Sequence, residues 1–88
     1  VKLVFKHGRY SSQRGYGLNG VELFVVCWPT VRGAGLSISS ELPGIARRSI
    51  DSTNYAEARE LCARLLESWA RRVLGITTRV TVEMEEGQ

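Results

Sequence analysis

Tyr55, Ala58, Cys62, Leu65, Leu66, Trp69 and Val73 recur at spacings of three and four, with Glu57, Glu60, Arg64, Glu67 and Arg71 mostly opposite. That pattern predicts a long amphipathic helix with one apolar stripe. No other stretch of the chain repeats it. A single helix shields one face of a sheet and leaves the other. Asp51, Ser52, Thr53 and Asn54 are all good capping residues. With Thr53 as the cap no capping box forms, whereas Asn54 brings Glu57 to the third helical position. Gly75 stands where a left-handed residue ends a helix. Glu60 with Arg64, and Glu67 with Arg71, are acid-first pairs four apart, the favourable order.

The remainder reads as strands and turns. Val1 to Lys6 alternates, as a half-buried strand does. Residues 7–20 read as a long, flexible, glycine-rich basic loop. In Val21 to Trp28, Val21, Leu23, Val25 and Cys27 share one face and Glu22, Phe24, Val26 and Trp28 the other. Both faces are largely apolar, which predicts a central strand, ended by Pro29. Leu36 to Ser40 is a short strand between two glycine-containing turns. Residues 45–50 are either another short strand or an extended connector. Ile76 to Met84 alternates as a final strand. The order β-β-β-(β)-α-β predicts an α+β fold, a mainly antiparallel sheet of three to five strands with the helix on one face. The 88 residues make one domain, 1–88, with 85–88 as a tail.

Several classes are set aside at this point. No apolar run is long enough to span a bilayer, and no charged-then-apolar start marks a signal peptide. The two cysteines, Cys27 and Cys62, read as reduced, and with one histidine they make no zinc site. The expectation is a cytoplasmic protein with no membrane partner, no metal and no cofactor. His7, the cysteines and the serines show no nucleophile–base spacing, so the chain reads as non-enzymatic. Gly15-Tyr16-Gly17-Leu18-Asn19-Gly20 has the spacing of a dinucleotide-binding loop, but a strand follows it rather than a helix, so it reads as a hairpin loop.

Two surfaces remain. If the helix covers Val21, Leu23, Val25 and Cys27, then Phe24, Val26 and Trp28 lie on the open face as an apolar patch, the mark of a partner protein or a homodimer. The alternative is nucleic acid. The net charge is only +3, but residues 1–50 hold seven bases and two acids. The stretch Lys6 to Tyr16 carries Lys6, Arg9, Tyr10, Arg14 and Tyr16 without one acid. Cations contact phosphates and tyrosines stack on unpaired bases. Arg47 and Arg48, adjacent in an extended segment, point to opposite faces, so at most one joins such a patch.

Residues 36–69 resemble the core of HicB-like antitoxin domains. The shared features are a short strand, the turn Glu41-Leu42-Pro43-Gly44, another short strand, a polar cap, and Glu57-Ala58 near the helix start. The long glycine-rich loop is unusual for that family. The resemblance implies a small module that occupies a partner protein, antitoxin-like or inhibitor-like, and it names no catalytic residue.

Overall fold

The structure is a computed structural model that describes residues 1–29 and 31–85, with Leu18 described by its backbone alone. The predicted tail beyond Glu85 lies outside the described residues. The strands are β1 (Lys2–His7), β2 (Gln13–Tyr16), β3 (Glu22–Cys27), β4 (Ser37–Ser40), β5 (Arg48–Ser49) and β6 (Thr81–Met84). Helix α1 (Tyr55–Trp69) runs on into a π turn, Ala70–Leu74. The fold is α+β, as the pattern predicts.

The sheet has six strands in the order β5-β4-β3-β2-β1-β6, one more than the upper expectation. The extra strand is β2, inside the stretch read as a flexible loop. Its pattern is four residues long and interrupted by Gly15. It is a strand because it pairs with both neighbours, antiparallel to β1 and to β3. β6 joins β1 in parallel, so the sheet is mixed. The helix therefore carries the chain from the β5 edge to the β6 edge, as a parallel pairing requires.

One row of the sheet decides which face the helix covers. Gly15 stands opposite Phe5 on one side and Phe24 on the other. A Cβ at Gly15 would lie 2.8 Å from two atoms of the Phe5 ring. The missing side chain leaves room for two large rings on the strands that flank β2. That crowded face meets the helix: Leu3, Phe5, Phe24, Val26, Leu36 and Ile38 pack with Ala58, Cys62, Ala63 and Leu66. The predicted faces of β3 are thus exchanged. Phe24 and Val26 are fully buried, and Val25 and Cys27, half-buried, lie on the uncovered side, while Leu23, at the register shift between Gly15 and Tyr16, packs half-buried against the core. Both faces of this strand are apolar, so alternation alone does not tell them apart.

The helix begins where one of the two readings put it. Asn54 Oδ1 accepts from Ala56 N–H at 2.9 Å and Glu57 N–H at 3.4 Å. Gly75, at φ 69°, ends it. The π turn, with more residues per turn, sets the phase back, and Val73, on the predicted stripe, comes out exposed. The final strand is shorter than its alternation. Ile76 N–H caps Ala70 O at 3.3 Å instead of joining the ladder. Val80 is held by the helix: its N–H donates to Glu67 Oε2 at 2.8 Å and its carbonyl accepts from Arg64 at 2.9 Å. Glu67 also pairs with Arg64 at 3.3 Å, so the predicted Glu67–Arg71 pair does not form. Glu60 reaches Arg64 at 3.9 Å. Residues 45–50 form both alternatives, an extended connector ending in the two-residue β5. Gly35 lets it close in, since a Cβ there would sit 1.7 Å from Ile50 O.

Two stability outcomes follow from this packing. Phe24→Ala costs about 3–5 kcal/mol, the usual loss for a buried ring. Gly15→Ala, which in an ordinary strand would be neutral or stabilising, costs about 1–3 kcal/mol through overpacking. Urea unfolding of both variants checks the face assignment. Burial also pushes the Cys62 thiol up to about 12. The unfolded thiol ionises near its ordinary value of about 8.5. Above that value the unfolded state holds fewer protons, so this contribution is whole below pH ~8.5 and is lost as pH rises through the folded value. Cys62→Ala removes that part of the alkaline decline in the urea midpoint.

Candidate functional site

The Phe24, Val26 and Trp28 patch does not exist as a surface. Phe24 and Val26 lie under the helix, leaving Trp28, just past the end of β3, at 49% exposure. Its ring stacks on Tyr55, the first residue of α1, with centroids 6.2 Å apart and planes 22° apart.

The hairpin turn between β1 and β2 lies at the same end of the sheet. Tyr10 and Ser11 both have positive φ, 55° and 61°. Ser12 N–H donates to Arg9 O at 3.1 Å, closing a four-residue turn around them. Two left-handed central residues make a type I′ turn, which ordinarily takes Asn-Gly. Tyrosine and serine hold it at a cost, and local bonds offset that cost. Ser12 Oγ donates to Arg9 O at 2.7 Å and Gly8 N–H to Ser12 O at 2.8 Å. The Tyr55 hydroxyl donates to Ser11 O. Arg59, one turn further along the helix, donates to Oε1 of buried Gln13 at 2.8 Å. The helix start thus clamps the turn, and Tyr10 is left 92% exposed beside Arg9.

Two adjoining cavities open at this end. One, of about 370 Å³, is lined by Arg9, Tyr10, Arg14 and Trp28 among others. The other, of about 250 Å³, lies between Trp28, Val31, Gly35 and Arg47. Cys27 and Trp28 line both, and no acid among the described residues lines either.

The cations here differ in what they already hold. Arg14 donates to both oxygens of Glu22, at 3.0 and 3.1 Å, and that bond raises its pKa further. Lys6 pairs with Glu85 at 3.7 Å and lies 5.2 Å from the centroid of the Tyr16 ring. Lys2 pairs with Glu83 at 3.1 Å. The uncovered sheet face is thus largely self-neutralised. Arg9 and Arg47 have no ion pair among the described residues.

The residues expected to contact nucleic acid divide accordingly. Arg9, Tyr10, Arg14 and Arg47 gather at the turn end with Trp28. Lys6 and Tyr16 line a separate depression with Glu85. Arg48 stands opposite Ile38, which is buried beneath the helix, so the two arginines do part. Sequence reasoning missed Tyr55 as a member of the site. It counted that ring in the helix stripe, and only the hairpin's position shows that it faces the turn.

A second feature lies at the far end of the helix. Val73, Leu74 and Ile76 are each half-exposed or more, at 53%, 56% and 50%. Arg71, Arg72 and Arg79 flank them without an ion pair among the described residues. Arg71 and Arg79 line a cavity of about 460 Å³ with Thr77 and Thr78. No helix among the described residues is long and apolar enough to cross a membrane.

Relieving the turn should show in stability. Tyr10→Asn with Ser11→Gly supplies the residues a type I′ turn favours and raises unfolding free energy by about 1–2 kcal/mol, read by urea unfolding. No family model matches this chain, and neither does any curated protein or solved structure.

Proposed function

We propose that this domain binds nucleic acid at the turn end of its sheet. The observation that carries the reading is a pair of adjoining cavities that no acid among the described residues lines, with Arg9 and Arg47, neither ion-paired among those residues, on either side of Trp28. A phosphate backbone laid across Cys27 and Trp28 meets a cation on each side, and its affinity comes chiefly from releasing counterions. Arg14 contributes less, because Glu22 already holds it. The net charge of +3 adds a weak attraction at long range. A protein partner docked on Phe24 and Val26 is not available, since both are buried.

A titration of labelled RNA and DNA, single- and double-stranded, at two salt concentrations tests the reading. Arg9→Gln and Arg47→Gln each weaken binding whatever the sequence and reduce the salt slope by about 1. Arg48→Gln, on the other face, leaves binding unchanged. Failure to bind any of the four nucleic acids at low salt removes the proposal.

The exposed Val73, Leu74 and Ile76 support a second reading, in which the domain also docks on a partner protein, as the HicB-like resemblance implies. Three flanking arginines repel a second copy of the same patch and suit an acidic, apolar segment. Peptides selected from a random library should then combine acidic and aliphatic residues, and Leu74→Ser with Ile76→Ser should abolish their binding. Peptides that bind that variant as well as wild type exclude this surface. Both readings describe a binding module with no reaction of its own.

A further inference from the structure

We infer that Tyr10 is a stacking platform for an unpaired base, so that the ligand at the turn end is a single strand rather than a duplex. This rests on the nucleic-acid reading above and specifies the ligand class within it.

The turn is built against local preference. Tyr10 and Ser11 both take left-handed backbone conformations that β-hairpins normally assign to Asn and Gly. Strain of this kind persists where surrounding bonds over-determine it. Here they do: Arg9 O accepts from both Ser12 N–H and Ser12 Oγ, and Ser11 O accepts from the Tyr55 hydroxyl. What the strain secures is not packing. Tyr10 is 92% exposed and contributes almost no buried surface. The turn instead holds a large aromatic ring in water, next to Arg9, which has no ion pair among the described residues, and on the rim of a cavity that also contains half-exposed Trp28.

An aromatic ring in that position has a use for a nucleic acid with free base faces. Stacking works with any base, because every base offers a π-face, and the adjacent guanidinium takes the phosphate. A duplex has no free face along its length, only at its ends. It can meet Arg9 and Arg47 but gains little from Tyr10. Fixing the turn beforehand lowers the ordering cost of binding, as preorganisation does generally. The exposed ring also accounts for a tyrosine in place of the residue that the turn itself would favour.

The experiment compares three ligands: labelled oligothymidylate, its duplex with oligoadenylate, and an abasic strand of the same length. Wild type should bind oligothymidylate most tightly. Tyr10→Ala, and the more stable Tyr10→Asn with Ser11→Gly, should lose about five- to hundredfold on oligothymidylate, the range for one lost base–aromatic stack. Neither should change affinity for the abasic strand or the duplex. Ser11→Gly alone relieves strain and keeps the ring, and should bind as wild type does. Equal losses on the abasic strand, or none on oligothymidylate, overturn the inference while leaving the nucleic-acid reading standing if Arg9→Gln and Arg47→Gln still weaken binding. Absence of wild-type binding to all three at low salt overturns both.

Discussion

The fold depends on the space above Gly15. Two phenylalanines, Phe5 and Phe24, stand on either side of it in adjacent strands, and a Cβ at that position would collide with the Phe5 ring. Because both rings occupy one face, that face must be covered, and the helix stripe is the apolar surface long enough to cover it. Burying the two rings is worth several kcal/mol, more than any of the surface ion pairs can contribute. The pairing of β2 with β1 and β3, the assignment of Val25 and Cys27 to the open side, and the path of the helix all follow from that row.

Once the helix is laid down this way, its first turn comes to rest beside the β1–β2 hairpin. Two contacts join them, Tyr55 to Ser11 and Arg59 to Gln13, and the Tyr55 ring also stacks on Trp28 just past β3. The bond from Arg59 also satisfies Gln13, the one polar side chain among the buried residues described. Packing in the core and the geometry of the turn are therefore coupled. The far end of the helix is held differently. Glu67 and Arg64 grip the backbone of Val80, and this leaves Arg71 without the acid that its spacing pairs it with.

Much of the architecture was readable from periodicity. The helix, its Gly75 terminus and the strands β1, β3 and β4 each carry a strong local signal, while the capping run narrows the cap to Thr53 or Asn54 and the structure selects Asn54. β2 did not, because Gln13 to Tyr16 is too short and too polar to read alone, and its pairing supplies what its composition lacks. The alternation overstates the final strand, because it continues through residues whose backbone groups are claimed by the helix. The basic residues before the helix were legible as a set. Which of them stay unpaired was not, since Glu22 and Glu85 approach Arg14 and Lys6 only across strands.

By itself, the sequence determined that this chain makes one helix on one face of a sheet, with arginines and tyrosines concentrated in the strands and turns that precede it. Local terms suffice for that: stripe spacing, capping and turn chemistry act within a few residues. The tertiary structure decided which face of β3 the helix would cover. Phe24 and Val26 alternate with Val25 and Cys27 in a strand apolar on both sides, and the choice rests on Gly15, the residue paired with Phe24 on the neighbouring strand. For the same reason the apolar trio loses two members to the core. Trp28 remains, beside a strained turn and two arginines that only the folded chain brings together.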